Sequence, residues 1–157
     1  MIIPSLLEPG DCIAIVSPSY HLDDEQFDAA ITAVERMGFR AIPSPHSRDR
    51  FLERYSAPPG LRADDLKWAF NDPAIKAVLA SRGGYGTLQI LDLLGQELVS
   101  SHPKWMIGYS DITSLHALSL CAGVQSLHAA MGSFIAKDGA DSESIDLLRS
   151  FLCGGPQ

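Results

Sequence analysis

A single serine, Ser110, stands where the sequence predicts a sharp turn from a buried strand into a helix. Residues 105–107 are typical of an interior strand, Gly108 permits tight backbone geometry, and helical spacing begins at Ile112. Such a turn presents Ser110 at the carboxyl edge of a parallel sheet, where open α/β proteins bind their ligands. Ser110 is therefore a candidate nucleophile. The alternative is a helix cap, because serine is a preferred N-cap residue and Asp111 favours the first turn of a helix.

Acyl transfer by a serine also requires N–H donors for the negatively charged oxygen that forms in the transition state. The amide of Asp111 follows Ser110 directly at the predicted helix start and is one such donor. The loop that contains Gly83 and Gly84 is the predicted source of a second donor. Glycines permit a close approach of the backbone to a ligand and a positive φ, both of which such a loop needs.

The same glycine loop, residues 82–86 (RGGYG), has two other interpretations. Its N–H groups could bind a phosphate at a helix N-terminus, or the glycines could simply form a turn. The loop lacks the P-loop pattern GxxxxGK[ST]. The first predicted strand is followed by SPS at residues 17–19 instead of the dinucleotide fingerprint GxGxxG. Both absences argue against nucleotide binding.

A base to accept the serine proton is harder to identify among the five histidines. His128 ends the predicted fifth strand and reaches the same sheet edge as Ser110, which makes it the local candidate. The alternative is that His128 only satisfies a backbone partner. His116 lies six residues after Ser110 on a poorly matched helix face and is predicted to be structural. The other histidines lie in predicted loops: His21, His46 and His102.

Short apolar runs alternate with helical patterns along the whole chain. The predicted strands cover residues 11–17, 39–43, 77–80, 105–108 and 124–128. The predicted helices cover 24–37, 60–70, 88–94, 112–119 and 142–152, and residues 44–59 form a long loop with one short helical turn at 51–54. This alternation predicts an α/β fold: an open, mainly parallel five-stranded sheet with helices on both faces, a flavodoxin-like three-layer sandwich.

The composition indicates one compact domain and excludes several kinds of partner. The chain has 157 residues, of which 46% are hydrophobic, and a net charge of −7 without a run of Lys or Arg, so a nucleic-acid surface is not expected. No stretch resembles a signal peptide or reaches the roughly 18 apolar residues of a membrane span. We therefore expect a cytoplasmic protein without membrane or nucleic-acid partners. Cys12, Cys121 and Cys153 are expected to be reduced, mostly structural thiols, and no spacing predicts a metal or cofactor.

Several sequence blocks, taken in order, resemble the LD-carboxypeptidases, a family of serine peptidases that includes the microcin-immunity type of peptidase. The blocks are PGD at 9–11 with AIVSPS at 14–19, RADDL at 62–66, NDP at 71–73 with IKA at 75–77, SRGGYG at 81–86 and IGYSDIT at 107–113. Each block is weak alone, but together they are specific. The resemblance spans nearly the entire chain, yet it covers only the N-terminal half of the family.

The resemblance implies a metal-free peptidase that cleaves the amide bond between an L- and a D-centre. Typical members release the terminal D-alanine of a murein tetrapeptide during cell-wall recycling, and others act on aminoacyl-nucleotide-like peptides. The resemblance further implies that Ser110 is the nucleophile and that the amides of Asp111 and Gly84, or Gly83, hold the oxyanion. The residues expected to contact the small peptide substrate are Arg82, Tyr85, Tyr109 and His128.

The sequence also departs from the family. The catalytic Glu and His of the family come from a C-terminal domain, and the residues after Ser110 are too few for one. We therefore expect residues 1–153 to form the nucleophile-bearing domain, 154–157 to begin a linker, and the C-terminal domain to be absent. Ala129-Ala130 replaces the Gly-Pro that tends to follow the fifth strand in the family, which predicts an altered loop.

A chain of this kind is expected to be inactive or nearly so alone, because the residues of a triad act as a unit. It is also expected to form a homodimer or a larger species through the surface that the missing domain would cover. The alternative function is a non-catalytic module that binds a small peptide or a carboxylate at the same sheet edge.

Overall fold

The computed structural model of the protein describes residues 1–138 and 142–155. Within this part of the chain the strands are β1 Cys12–Val16, β2 Arg40–Pro43, β3 Ile75–Ala80, β4 Trp105–Gly108 and β5 Leu127–His128. All neighbouring strands run parallel, in the order β2-β1-β3-β4-β5. This order is that of a flavodoxin-like doubly wound sheet and confirms the predicted fold class.

The helices cover the two faces of this sheet. Those in the described ranges are α1 Asp24–Arg36, α2 Pro59–Asn71, α3 Gln96–Ser101, α4 Thr113–Cys121, α5 Gly132–Asp138 and α6 Glu143–Leu152. Parallel strands are joined by right-handed crossovers, so α1 lies on one face and α2 to α4 lie on the other. The packing agrees, because α1 contacts α5, whereas α3 contacts both α2 and α4.

Local chemistry explains the elements that the sequence predicts well. The Asp23 carboxylate accepts a hydrogen bond from the Gln26 N–H at 2.8 Å and caps α1, and Gly38 follows the helix with φ 90°. The central strands are apolar on both faces, and every residue of β4 is buried. A sheet covered on both sides selects such continuous apolar runs.

Residues 88–94 do not form the predicted α-helix. They lie instead in two 3₁₀ turns, Thr87–Gln89 and Leu91–Leu93, with i→i+3 hydrogen bonds such as Ile90 N–H to the Thr87 carbonyl at 3.1 Å. Their apolar side chains do not share one face, because Ile90 is buried while Leu88 and Leu93 are exposed. The apolar positions of this run, 88, 90, 91, 93 and 94, are spread around more than half of a helix, so they do not specify one amphipathic face.

Other boundaries also differ from the prediction. Residues 51–54 form no helical turn, because Phe51 and Tyr55 exchange two backbone hydrogen bonds around a tight reversal with Leu52 and Glu53 in left-handed conformation. The fifth strand is shorter than predicted, since Val124 pairs with Ile2 instead. Helix α5 was not predicted. Residues 156–157 of the predicted linker lie outside the described residues.

The cysteines form no disulfide in the described part of the chain, and both Cys121 and Cys153 are exposed. The expectation that most of the thiols are structural is therefore wrong for these two, although Cys12 is half-buried and packs against the core. Among residues 1–138 and 142–155, no helix has the length and apolar character needed to cross a bilayer.

One buried cation ties the start of β4 to the end of α2. The ammonium group of Lys104 donates hydrogen bonds to the carbonyls of Ala69 at 2.8 Å and Asp72 at 2.5 Å. These carbonyls belong to the last turn of α2 and to its C-cap, where free acceptors and the helix dipole favour a positive charge. Burial nevertheless lowers the pKa of Lys104 from 10.5 to about 8.

We expect Lys104 to make the free energy of unfolding depend on pH in the alkaline range. Between pH 8 and 10.5 the unfolded chain keeps the Lys104 proton that the folded chain releases, so stability rises with pH through this window. We expect the unfolding free energy of wild type minus that of Lys104→Met to increase between pH 8 and 10.5. Urea denaturation at a series of pH values measures both. Lys67→Met, at a half-exposed lysine of α2, is the control, and a pH-independent difference for Lys104→Met would contradict the assignment.

Candidate functional site

Ser110 occupies the turn between β4 and α4, at the carboxyl edge of the sheet. Its backbone is left-handed, with φ 61°, and the 3₁₀ turn Ser110–Ile112 leads directly into α4. A Cβ on Gly108 would lie 2.9 Å from the Ile112 side chain, so the turn needs glycine there. Non-glycine residues in this conformation are strained and cluster at functional sites. The turn leaves Ser110 exposed at the sheet edge.

The helix-cap alternative for Ser110 is wrong. The N-cap of the 3₁₀ turn is Tyr109 and that of α4 is Ile112, and neither end has a side-chain cap hydrogen bond. Within residues 1–138 and 142–155, the Ser110 hydroxyl has no hydrogen-bond partner. The strain at this residue is therefore not offset by a capping contact.

The glycine loop lies against Ser110, as the sequence predicts. A Cβ on Gly83 would stand 3.4 Å from the Ser110 Cβ and 3.5 Å from its Oγ. Gly84 has φ 145°, and a Cβ there would collide with the Tyr20 ring and stand 2.8 Å from the Ser19 Oγ. In the described part of the chain, no hydrogen bond uses the N–H of Gly83, Gly84 or Asp111. These three amides remain available as donors to a ligand.

The side chain of Asp111 has a role that the sequence analysis missed. Its Oδ2 accepts hydrogen bonds from the N–H of Gly86 at 2.8 Å and of Thr87 at 3.0 Å. The Thr87 hydroxyl in turn donates to the Asp111 carbonyl at 2.6 Å. Asp111 therefore fixes the glycine loop to the Ser110 turn while its own N–H stays free. The sequence did offer one signal for this role, which is the position of a carboxylate directly after the candidate nucleophile.

Arg62 is the second residue whose role the sequence did not reveal, although it lies in a block that resembles the family. It belongs to α2 and is 1% exposed. Its guanidinium donates to the carbonyls of Ala57 at 2.9 Å, Pro18 at 2.6 Å and Gly86 at 2.9 Å, and to the Gln89 side chain at 2.7 Å. Burial lowers the pKa of Arg62. One side chain thus joins three loops behind the site.

Beneath the glycine loop lies Ser19, from the segment that follows β1. Its hydroxyl is buried without a hydrogen-bond partner in the described residues. Ideal Cβ atoms on Gly84 and Gly86 would stand 2.8 Å and 3.1 Å from this oxygen. The backbone of the glycine loop therefore lies directly on Ser19, which leaves no room for side chains at either glycine.

Neither histidine near the sheet edge is placed as a base for Ser110. The ring of His128 lies 6.1 Å from the Tyr109 ring and 6.0 Å from the His116 ring, without a hydrogen bond to Ser110 among the described residues. His116 approaches the Gly108 carbonyl with Nε2 at 2.9 Å and Ser126 Oγ with Nδ1 at 2.9 Å, as a structural residue would. A carbonyl only accepts, so Nε2 carries the proton, and burial lowers the pKa of His116.

The residues expected to contact a substrate surround the site at different depths. Tyr85 is 81% exposed, and Arg82 is exposed with its guanidinium 5.9 Å from the centre of the Tyr20 ring. Tyr109 and His128 line an apolar groove of about 630 Å³ between β5, α5 and α6. Residues 129 and 130 line the same groove, so both alanines face the region beside the predicted site.

We expect Gly86→Ala to disturb the loop by collision. An added Cβ would lie 2.6 Å from Nη1 of Arg62 and 2.9 Å from the Ser19 Cα, and neither neighbour is free to move because Arg62 is held by four hydrogen bonds. The free energy of unfolding should fall by about 1–3 kcal/mol in urea denaturation, as for other overpacked sites. The control is Gly60→Ala on α2, where a Cβ meets nothing within 4 Å. An equal effect of both changes would refute the collision.

The Asp111 carboxylate should matter as a hydrogen-bond acceptor. Asp111→Ala leaves the N–H groups of Gly86 and Thr87 without their partner, and we expect the free energy of unfolding to fall by about 1.5–3 kcal/mol. Asp111→Asn keeps one acceptor oxygen and should retain most of the stability. Circular dichroism during urea unfolding measures both variants. Equal losses would mean that the charge, and not the hydrogen bonding, holds the loop.

Comparison with known proteins agrees with this architecture. Residues 13–129 match the family model for the LD-carboxypeptidase N-terminal domain. The chain is 31% identical over 118 residues to the murein tetrapeptide carboxypeptidase of Pseudomonas aeruginosa, which covers 74% of this chain and 38% of that protein. It is 35% identical over 139 residues to a Streptomyces coelicolor protein named as a carboxypeptidase, covering 86% of this chain and 45% of the relative.

Solved structures give the same result. The MccF-like protein of Bacillus anthracis superimposes with a TM-score of 0.86 at 31% identity, over 97% of this chain and 47% of that one. The muramoyltetrapeptide carboxypeptidase of Oxalobacter formigenes shares the fold, with a TM-score of 0.80 at 24% identity over 89% of this chain and 47% of that one. The chain spans less than half the length of these four relatives. It belongs to the LD-carboxypeptidase family and contains the N-terminal domain of that family.

Proposed function

We propose that this chain carries the nucleophile and the oxyanion hole of a serine carboxypeptidase that hydrolyses an L,D-amide bond. The reaction of this type that we assign to the whole protein is the removal of the terminal D-alanine from a murein tetrapeptide in cell-wall recycling. The observation that carries the proposal is the strained, exposed Ser110, which lies beside glycine-loop amides that have no other partner among the described residues.

In the proposed mechanism, the Ser110 Oγ attacks the carbonyl carbon of the scissile amide and gives up its proton to a base. The carbonyl oxygen becomes an oxyanion that accepts hydrogen bonds from the N–H groups of Asp111 and Gly84, with Gly83 as the alternative donor. When the intermediate collapses, the C–N bond breaks and the departing amine takes the proton. Water then hydrolyses the Ser110 ester by the same steps in reverse order.

The base and its partner carboxylate are assigned to the part of the family that this chain does not match. No histidine or carboxylate of residues 1–138 and 142–155 forms a hydrogen bond with Ser110, which supports an assignment of these groups elsewhere. We therefore propose that residues 1–153 are the nucleophile-bearing domain, that 154–157 begin a linker, and that a Glu and a His from a C-terminal domain complete the site, as the resemblance implies.

Self-association and a cytoplasmic location remain predictions. The apolar groove of about 630 Å³ beside Tyr109 and His128 supports the expectation that an uncovered surface drives association of the isolated chain into a homodimer.

Release of D-alanine from an L,D-linked tetrapeptide tests the proposed function. In the full-length protein, Ser110→Ala should lower kcat by about three or more orders of magnitude without altering the circular dichroism spectrum, because the triad acts as a unit. Ser101→Ala, an exposed serine of α3, is the matched control. The isolated chain should show almost no turnover.

Two outcomes would contradict parts of this proposal. Turnover by the isolated chain that disappears in Ser110→Ala would refute the proposal that the base lies outside this chain. It would point to His128 or to a base supplied by a partner. Peptide binding that survives Ser110→Ala, with no hydrolysis by the full-length protein, would favour the non-catalytic binding module instead.

A further inference from the structure

A second cavity, of about 400 Å³, shares Tyr109 and Phe134 with the apolar groove. Its walls come from three segments that border the candidate site. Arg82 begins the glycine loop, Tyr109 immediately precedes Ser110, and Ser133 and Lys137 belong to α5. Residues four apart on a helix lie on the same face, so Ser133 and Lys137 face the cavity together.

The segments around this cavity are fixed relative to one another. The Ser133 N–H donates to the Ser81 carbonyl at 2.7 Å, and a Cβ on Gly132 would lie 2.8 Å from the same oxygen. The start of α5 is therefore held against the residue just before Arg82. Gly83, just after Arg82, is the glycine that packs against Ser110. The two cations and the nucleophile candidate thus share one rigid frame.

The charges of the cavity are unusual for this protein. The chain has a net charge of −7, yet two cations, Arg82 and Lys137, line this one cavity, and neither forms an ion pair in the described residues. The Arg82 guanidinium lies over the face of the Tyr20 ring, 5.9 Å from the ring centre. Asp138 also lines the cavity, so its ionised side chains sum to one positive charge. Such a cavity favours an anionic group over a neutral or cationic one.

We propose that this cavity binds the free terminal carboxylate of the substrate, with Arg82 and Lys137 as its counter-charges and the Ser133 hydroxyl as a hydrogen-bond donor. The proposal rests on the proposed function, because the carboxylate is that of the residue released at Ser110. In a carboxypeptidase substrate this carboxylate lies one residue from the scissile carbonyl, about 3.8 Å along the chain. Arg82 directly precedes Gly83, which packs against Ser110, and Tyr109 directly precedes Ser110, so both border the site from which this carboxylate would extend.

The cavity then explains why the reaction would be confined to a chain end. An internal peptide bond has no carboxylate in this position, so it would gain no charge-assisted contact with Arg82 or Lys137. Charge-assisted hydrogen bonds are the stronger class, and Arg is suited to bidentate contact with a carboxylate. Arg82 and Lys137 would thus determine specificity for exopeptidase substrates without taking part in bond cleavage.

The experiment compares two substrates of the full-length protein: an L,D-linked tetrapeptide with a free C-terminal carboxylate, and the same peptide with a C-terminal amide. We expect kcat/KM of wild type to favour the acid, and Arg82→Gln to lower kcat/KM for the acid by about tenfold to hundredfold while changing that for the amide little. Lys137→Gln should act in the same direction. Arg82→Lys should restore part of the preference, and Asp138→Asn should increase it.

The matched control is Lys76→Gln. Lys76 is an exposed lysine near the start of β3, whereas Arg82 follows the end of the same strand. It should leave the ratio of acid to amide unchanged. Equal loss for acid and amide in Arg82→Gln, or no loss for either, would overturn the proposal.

A separate readout distinguishes this proposal from the proposed function. If the full-length protein hydrolyses neither peptide, the proposed function fails, and calorimetric affinities for the acid and the amide then test the cavity alone. Tighter binding of the acid that is lost in Arg82→Gln would support the cavity. Equal affinity for both peptides, or no binding of either, would overturn it.

Discussion

The position of the candidate site depends on a guanidinium buried behind it. Arg62 is 1% exposed and donates to backbone carbonyls from three separate loops, after β1, before α2 and after β3. A buried cation is costly unless its donors are satisfied, so the loops hold Arg62 in place as much as Arg62 holds them. The glycine loop can therefore keep its own N–H groups directed elsewhere. Without Arg62, the Gly86 carbonyl would lose this hydrogen-bond donor.

Around Arg62, glycines and one carboxylate complete the arrangement. Gly84 and Gly86 leave no room for a Cβ against Ser19, Tyr20 and Arg62, and the Asp111 carboxylate binds the end of the loop to the turn that follows β4. The strain of Ser110 at φ 61° is thus maintained by contacts on both sides. Donors that are held in place before a substrate arrives are the kind that stabilise developing charge most effectively.

The two cavities beside Tyr109 differ in chemistry, and this difference bears on function. One is apolar and lies near His128, and the other contains Arg82 and Lys137. Tyr109 lines both cavities and immediately precedes Ser110, so a peptide bound over Tyr109 would have its scissile bond near the serine. In the proposed reaction, this domain would contribute an attacking group, oxyanion donors and an anion-binding subsite. The base and its partner carboxylate would come from outside it.

Much of the fold was predictable because its signals are local. Continuous apolar runs identified the central strands, and the Asp23 cap with Gly38 bounded α1 closely. The prediction failed where periodicity carries no information. The apolar residues of 88–94 are spread around more than one face and the segment forms 3₁₀ turns. The reversal at Leu52 and Glu53 depends on left-handed backbone that neither residue favours. Helix α5, which supplies Lys137, had no clear apolar stripe.

The sequence by itself determined the parallel α/β fold, the place of Ser110 at the end of a buried strand, and the glycine loop as its neighbour. These follow from residue types within a few positions of one another. Only the tertiary structure decided that Asp111 acts through its carboxylate, that Arg62 joins three loops, and that Arg82 and Lys137 share a cavity. Such contacts join residues far apart in the chain, and no local pattern encodes which distant partner a buried polar group will meet.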